Sequence, residues 1–226
     1  MTFVPTRFPE DPVFFAHFTY ADGAQPGGGG VAALVERDAR FAPLVGRWGL
    51  PPLWTHPPGF AGLMLAILAQ QVSIESARAA FAKLERAIPA LRPQDFLALA
   101  DTDLRTIGFS RQKADYGRDL ATAMVDGAFD PAALRRLDDE AARQRLLALR
   151  GVGPWTADTY LLFSLRRVDV WPTRDLAPER AVSELEGAGE RLDSATVDRI
   201  ALGWRPLRAV AARLLWAHYL EQRGRL

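Results

Sequence analysis

The sequence has no cysteine among its 226 residues. Without thiols the chain can form no disulfide framework, no zinc–thiolate site and no cysteine-held iron–sulfur cluster. Lysine is scarce as well, because Lys83 and Lys113 are the only lysines among 28 basic residues. The three histidines are scattered, at His17, His56 and His218, with no metal-ligand spacing. No apolar run approaches the ~20 residues of a membrane helix and no signal peptide is recognisable, so we expect an intracellular, cytoplasmic protein.

The formal net charge is only +1, which by itself is a weak indication of nucleic-acid binding. The arginines are nevertheless locally dense. Two clusters stand out, one formed by Arg105, Arg111, Lys113 and Arg118 and the other by Arg199, Arg205, Arg208 and Arg213. Each cluster has two interpretations: a solvated helix face or part of a basic surface.

Helical apolar spacing dominates from Val31 onward, which predicts an all-α fold. Residues 1–30 are expected to form an N-terminal arm and a Gly-rich linker, with a short strand or packed arm at 13–20, and residues 31–226 a helical domain. The expected helices include 60–83 with a break near 72–73, 94–100, 101–107, 110–126, 131–136, 139–149, 154–167 and 206–222.

Two of these helices, within 139–167, are joined by the tight turn Leu149-Arg150-Gly151-Val152-Gly153. Gly151 and Gly153 permit positive φ and bring no side chain that would block another backbone. Pro154 suits the first position of a helix, where a missing N–H costs nothing. Such a turn points amides at a helix start outward, which is typical of a phosphate site.

An aspartate, Asp175, follows Gly153 by 22 positions. It has two compatible interpretations: a helix N-cap, because Ala177-Pro178-Glu179 is a plausible helix start, or an acid that supplies chemistry beside the anchored strand. A carboxylate at a helix start is held rigidly, and the helix dipole favours its ionised form. Asp169 is the competing acid.

Four stretches of the chain form a recognisable series: Ile67 to Ser73, Leu149 to Ala157, Asp169 to Asp175, and Trp204 to Arg208 with Trp216. In this order they resemble the helix-hairpin-helix (HhH-GPD) DNA glycosylases, most of all their 3-methyladenine DNA glycosylase II type. The resemblance implies a two-lobed helical fold with a DNA-binding cleft, acting as a monomer on damaged double-stranded DNA at the bacterial nucleoid. It also implies the form without an N-terminal β-rich domain, since only about 30 residues precede the first expected helix.

By the same resemblance, Asp175 is the catalytic residue of a base-excision repair enzyme. It would hydrolyse the N-glycosidic bond of alkylated bases of the 3-methyladenine and 7-methylguanine type after flipping them out of the duplex. A fixed carboxylate stabilises the positive charge that develops on the sugar and can guide a water to C1′. Trp155 stands where the bifunctional members carry a Schiff-base lysine, which implies a monofunctional enzyme without lyase activity.

The resemblance also suggests which residues form the base pocket and which contact DNA. Candidates for a stacking pocket are Trp54, Phe60, Trp155, Tyr160 and Trp216, and the alternative for each is ordinary core packing. Predicted DNA contacts are Gln70, Gln71 and Ser73 of a wedge region, Gly151, Gly153 and Thr156 of the hairpin, and Arg111 and Lys113 of a second, degenerate turn. Gln71 is the first choice for the wedge and Gln70 the second; a capped helix break is the alternative.

No cofactor is required by this chemistry. Hairpins of this kind often hold a Na⁺ or K⁺ on backbone carbonyls, which by position would be those of Leu147, Leu149 and Val152. Two other functions remain open: a mismatch or oxidised-base glycosylase on the same fold, or a non-catalytic DNA-binding protein. Asp175 argues against the second, because an acid near phosphates repels DNA.

Overall fold

The computed structural model describes residues 29–50 and 54–224, and within these ranges all the regular elements are helices, with no strand. The all-α prediction is therefore confirmed. In chain order the helices are α1 Gly29–Arg37, α2 Ala42–Trp48, α3 Gly59–Leu68, α4 Ile74–Ala87, α5 Pro93–Leu97, α6 Asp101–Ile107, α7 Arg111–Val125, α8 Asp139–Leu147, α9 Pro154–Phe163, α10 Leu176–Leu185, α11 Ser194–Ala201 and α12 Arg208–Glu221. Short 3-10 helices occupy Ala39–Phe41, Ala133–Arg136 and Leu202–Trp204.

The predicted interruption near 72–73 is present, because α3 ends at Leu68 and α4 begins at Ile74. Helix α1 begins at Gly29, so the last two residues of the predicted Gly-rich linker, Gly29 and Gly30, lie in its first turn, where the amides need no partner within the helix. The rest of the predicted arm, including the possible strand at 13–20, lies outside the described residues.

The described chain divides into two compact units. The first comprises His56–Leu165 and is built around α3, whose sequence GFAGLMLAIL is apolar on every side. A helix that is apolar all round has to be buried. Gly117 on α7 belongs to the same core: a Cβ there would come within 2.7 Å of the Phe96 ring, so only glycine allows this packing.

The second unit takes in the described residues up to Thr55 and those from Arg166 onward. Its central helix is α12, which is buried along almost its whole length. The indole of Trp204 lies edge-on to both Phe41 and Trp171, with ring centroids 5.2 and 5.4 Å apart. Its N–H donates to Asp38 at 2.9 Å. None of the helices in the described ranges is long and apolar enough to cross a membrane.

The ion pair between Asp38 and Arg40 makes this unit sensitive to acid. Hydrogen bonding from Arg40 lowers the pKa of Asp38 to about 2. Because the folded pKa is depressed, the stabilisation is complete above the ordinary pKa of an aspartate and is lost as the pH falls towards 2. Arg40 is partly exposed, so solvent screening reduces the contribution to about 1–2 kcal/mol.

We therefore expect Asp38→Asn to lower the free energy of unfolding by about 1–2 kcal/mol at pH 7, with the difference shrinking as the pH falls from 4 to 2. Urea titrations of both proteins at several pH values measure it. The exposed Asp126 provides a control, since Asp126→Asn removes a charge at the surface of the fold. A difference that stays constant down to pH 2 would contradict the assignment.

Candidate active site and nucleic-acid interface

The predicted helical hairpin is formed by α8, which ends at Leu147, and α9, which begins at Pro154. Both helices are shorter than expected, by two residues at the end of α8 and four at the end of α9. An ion pair holds them together: Arg143 Nε lies 2.6 Å from Oδ1 of Asp158, whose side chain is only 2% exposed. A buried carboxylate needs such a partner, so this pair fixes the geometry of the hairpin.

The two glycines of the hairpin turn, which comprises residues 148–153, have different roles. Gly151 has φ +84°, and a Cβ there would lie 2.3 Å from the Tyr116 ring. Gly153 is the N-cap of α9 with φ −88°, is exposed, and has no atom within 4 Å of an added Cβ. The fold thus requires glycine at 151 but not at 153. At 153 a side chain would only obstruct whatever approaches the start of α9 from outside.

The segment between α3 and α4, residues 69–73, is named the wedge loop here. Gln71 is exposed and has φ +56°, a left-handed conformation that costs a non-glycine residue of order 1 kcal/mol. Ser73 caps α4 by accepting a hydrogen bond from the Ser76 amide at 3.2 Å. The capped helix break is therefore real, and it presents Gln71 outward.

Gln70 points the other way, toward the hairpin. Its Nε2 donates to the Gly151 carbonyl at 2.7 Å and to Thr156 Oγ1 at 3.2 Å. Thr156 is buried, so its hydroxyl is engaged inside the protein. Of the two wedge candidates, only Gln71 faces outward.

The second turn, residues 108–110 between α6 and α7, is present as predicted. Gly108 adopts φ +118°, and Ser110 caps α7 by accepting from the Lys113 amide at 3.2 Å. Arg111 is exposed. The Lys113 ammonium, however, donates to the Leu68 carbonyl at 2.7 Å, and burial lowers the pKa of Lys113.

Both arginine clusters contain members that are engaged within the protein. Arg118 donates to the Leu99 carbonyl at 2.9 Å and to Asp101 at 2.8 Å. Arg213 is 4% exposed and donates to the Trp54 carbonyl at 2.8 Å. Four other arginines, Arg105, Arg111, Arg199 and Arg205, are exposed, so the choice between a solvated helix face and a basic surface stays a prediction for them.

Asp175 is the N-cap of α10, as the sequence suggested. Its Oδ1 accepts from the Ala177 amide at 3.0 Å and its Oδ2 from the Trp216 indole N–H at 3.3 Å, and the residue is 1% exposed. The residue before it, Arg174, is exposed and left-handed at φ +59°. Strain of this kind is typical of functional sites. It could not be anticipated from the residue type, because arginine does not favour this conformation.

The competing acid, Asp169, has a different environment. Its two carboxylate oxygens lie 2.8 and 3.0 Å from Nε and Nη2 of Arg208, and Arg205 lies 3.7 Å away. A guanidinium that binds both oxygens of a carboxylate forms a strong, geometrically fixed ion pair with it. Asp169 therefore stabilises the start of α12 through Arg208, whereas Asp175 accepts from the Ala177 amide and the Trp216 indole N–H.

The five aromatic candidates are divided between the units, Phe60, Trp155 and Tyr160 in the first and Trp54 and Trp216 in the second. Four are buried, with 4% or less of their surface exposed, and only Trp155 is partly exposed. Phe60 lies edge-on to Phe96, with ring centroids 5.7 Å apart, and the Tyr160 hydroxyl accepts from the Gly59 amide at 2.9 Å. Their stacking on a base stays a prediction.

Among the described residues no group of three or more histidines, aspartates or glutamates could hold a metal ion. The predicted alkali-ion ligands are instead the carbonyls of Leu147, Leu149 and Val152. The Leu149 carbonyl accepts the Val152 amide at 3.1 Å, which leaves it one further lone pair. The turn is therefore chemically compatible with a hard cation, and the ion stays a prediction.

Comparison with known proteins agrees with this geometry. The chain is 27% identical to DNA-3-methyladenine glycosylase 1 of Schizosaccharomyces pombe over 192 residues, which are 82% of this chain and 83% of that protein. It spans less than half the length of the Bacillus subtilis relatives that it matches, 44% and 39%.

Two solved structures are similar to the fold. One is a DNA-3-methyladenine glycosidase from Bacillus halodurans, with a TM-score of 0.74, 28% identity and coverage of 87% of this chain and 92% of that chain. The other is the S. pombe 3-methyladenine DNA glycosylase in complex with abasic DNA, with a TM-score of 0.73, 26% identity and coverage of 83% and 93%. The model of the HhH-GPD superfamily base excision DNA repair protein family matches residues 64–206. With its hairpin, wedge loop and capped aspartate inside that range, the chain belongs to the HhH-GPD superfamily of base excision DNA repair proteins.

Proposed function

We propose that the chain is a DNA-3-methyladenine glycosylase, which hydrolyses the N-glycosidic bond of alkylated bases in double-stranded DNA. The observation that carries the proposal is Asp175, a buried carboxylate held by the Ala177 amide and the Trp216 indole. The relatives named 3-methyladenine glycosylases that cover most of this chain support the same activity.

The reaction needs a fixed negative charge next to C1′. Cleavage of the N-glycosidic bond develops positive charge on the sugar, and a carboxylate that is already oriented stabilises that charge without reorganising. Asp175 is shielded from bulk water, which strengthens its electrostatic effect. An alkylated purine already carries a positive charge and leaves with little acid assistance, so one carboxylate is sufficient.

Access to the base requires that it leave the duplex. We propose that Gln71 fills the gap in the base stack, because it is exposed and held in a left-handed conformation at the tip of the wedge loop. The start of α9 and the exposed Gly153 would bind phosphates of the same duplex. A Na⁺ or K⁺ on the carbonyls of Leu147, Leu149 and Val152 would add positive charge at this turn.

The direct test is release of free bases from methylated duplex DNA, resolved by chromatography. We expect 3-methyladenine and 7-methylguanine in the released fraction, and loss of that fraction in the heat-denatured protein. Duplex binding without release of any base would identify a DNA-binding protein instead. Release from oxidised but not from methylated DNA would identify an oxidised-base glycosylase.

The chain should not cleave the DNA backbone. Bifunctional members of the superfamily use a lysine where Trp155 stands, and the lysine nearest to that position in the sequence, Lys113, is engaged by the Leu68 carbonyl. We expect intact abasic strands until alkali or heat is added, and no covalent adduct after borohydride reduction. A trapped complex with the wild-type protein would show that an amine attacks C1′ after all.

Gly153→Ala should weaken duplex binding about three- to tenfold, equally for damaged and undamaged DNA. The added methyl group meets no protein atom within 4 Å, so the fold is unaffected while phosphate approach is obstructed. Phosphate contacts carry no sequence information, which is why the effect should not depend on the lesion. Titrations at fixed salt concentration measure both affinities.

Gly203→Ala is the matched control, since Gly203 also has open space around an added Cβ and no left-handed φ, but lies outside the hairpin. Its affinity should equal that of the wild type. Wild-type affinity in Gly153→Ala as well would place the phosphate anchor elsewhere.

A further inference from the structure

We propose that Gln70 and Lys113 are positioning residues that fasten the wedge loop to the hairpin turn and to the second turn. Backbone binding by these turns and insertion of Gln71 would then be one coupled event. The inference rests on the proposed function. All the residues involved belong to the first unit, His56–Leu165.

The wedge loop needs such support because it is strained. Gln71 adopts φ +56°, and a non-glycine residue keeps a left-handed conformation only where its surroundings hold it there. On the α4 side the conformation of the loop is stabilised by the Ser73 cap, which accepts a hydrogen bond from the Ser76 amide. On the α3 side the C-cap is Ala69, which follows the last helical residue and has no polar side chain to accept or donate a capping hydrogen bond.

Lys113 stabilises the wedge loop on the α3 side. Its ammonium donates to the carbonyl of Leu68, the last residue of α3, at 2.7 Å. A cation at the C-terminal end of a helix also interacts favourably with the helix dipole. Lys113 lies near the start of α7, directly after the turn formed by residues 108–110. Its bond to Leu68 therefore connects that turn to the residue that immediately precedes the wedge loop.

Gln70 makes the corresponding tie to the hairpin. Its amide group spans two acceptors on opposite sides of Pro154, the Gly151 carbonyl at 2.7 Å and Thr156 Oγ1 at 3.2 Å. Both belong to the segment whose amides are proposed to bind phosphate. A displacement of that segment by bound DNA is therefore transmitted to the residue that immediately precedes Gln71.

Neither side chain needs to touch DNA for this role. The ammonium of Lys113 is half-buried on a carbonyl, and the Gln70 amide is directed into the protein. The salt dependence of binding distinguishes positioning from direct phosphate binding. If Lys113 bound a phosphate directly, its replacement would reduce the salt dependence by about one counterion. If Lys113 only positions the loop, its replacement leaves the salt dependence unchanged.

The experiment uses the full chain with Gln70→Met and Lys113→Met, which keep side-chain length and remove the donors. The matched controls are Gln94→Met, on an exposed glutamine of α5, and Lys83→Met, on an exposed lysine of α4. The Lys83 ammonium donates to the Thr106 carbonyl at 3.3 Å, so this control also removes a lysine–carbonyl bond, but one that does not involve the wedge loop. Base flipping is followed by the fluorescence of 2-aminopurine beside an alkylated or abasic position, and affinity for undamaged duplex is measured across salt concentrations. Melting temperatures are recorded for all variants.

We expect the flipping equilibrium to fall about three- to tenfold in both variants, which is the size of a typical net hydrogen-bond contribution; Lys113→Met removes one bond and Gln70→Met removes one short and one longer bond. The slope of affinity against salt should stay at the wild-type value, and the controls should behave as the wild type. Gln70→Met combined with Gln71→Ala should flip no worse than Gln71→Ala alone, because residues that act as a unit are non-additive.

Unchanged flipping in both variants would overturn the inference, as would a salt slope that falls by about one in Lys113→Met. If Gln70→Met lowers the melting temperature strongly, Gln70→Asn provides the second test, since it keeps an uncharged amide but is one methylene shorter and withdraws the donor from the Gly151 carbonyl. Failure of the proposed function looks different: the wild-type protein itself would then release no alkylated base.

Discussion

Asp175→Asn is expected to abolish base release almost completely, with a loss of at least about 10²-fold in the single-turnover rate. The substitution keeps the size of the side chain and an oxygen that can accept the Ala177 amide, so α10 keeps its cap. What disappears is the negative charge proposed to stabilise the sugar cation, together with the acceptor of the Trp216 indole N–H, because an amide nitrogen takes the place of Oδ2. Affinity for duplex DNA should stay the same or increase, because a charge that repels phosphates is gone. Single-turnover assays with excess enzyme separate this chemical effect from binding.

Asp169→Asn is the matched control, since it removes one negative charge from the same unit, six residues earlier in the chain. Asp169 is paired with Arg208, so its replacement should lower the melting temperature while base release continues. Near-wild-type turnover by Asp175→Asn, or equal losses in the two variants, would sink the assignment of Asp175.

The sequence predicted best what depends on neighbouring residues. Gly151, Gly153 and Pro154 define a turn by their own backbone preferences, and all three occupy the expected positions. The Asp175 cap and the interruption before Ser73 are equally local, since each cap bonds an amide two or three residues ahead. The helix ends were less accurate, because several apolar residues that continue the pattern lie in turns.

The partners of the polar side chains could not be predicted, because they are distant in the sequence. Gln70 and Gly151 are 81 residues apart, Lys113 and Leu68 are 45 apart, and Trp216 and Asp175 are 41 apart. Nothing in a stretch such as Arg-Gln-Lys indicates that the lysine reaches a carbonyl rather than a phosphate. The same holds for Arg213, which belongs to one of the arginine clusters of the sequence but is buried against the carbonyl of Trp54.

The aromatic residues present the same difficulty in a different form. A tryptophan in a helix pattern is compatible with a core position or a base pocket, and only the three-dimensional structure distinguishes them. Trp216 is 0% exposed, and its indole N–H is directed at Asp175. The role as a stacking surface that the family resemblance implies for Trp216 therefore competes with a second role, in which Trp216 orients the carboxylate of Asp175.

Trp216→Phe separates these two roles, because phenylalanine keeps an aromatic face and loses the N–H. If the indole orients Asp175, the rate of base release should fall about tenfold. Hydrogen bonds to charged groups contribute about 1.5–3 kcal/mol. The bond from Trp216 to Asp175 is long, at 3.3 Å, so we take the lower value, which corresponds to about a tenfold change in rate. The loss should be equal for a cationic lesion such as 3-methyladenine and a neutral one such as hypoxanthine, because both reactions need the same carboxylate. Single-turnover rates on duplexes carrying each lesion measure it.

Trp204→Phe is the control for this experiment. Trp204 is another buried tryptophan of the second unit whose N–H donates to a carboxylate, that of Asp38 at 2.9 Å. Its replacement should lower the melting temperature by a similar amount and leave base release unchanged. A Trp216→Phe loss that is several-fold larger for 3-methyladenine than for hypoxanthine, at equal melting temperature, would show that the indole recognises the charge of the base by cation–π attraction, which is stronger for tryptophan than for phenylalanine. An unchanged rate on both lesions would show that the Trp216 N–H is not needed to orient Asp175.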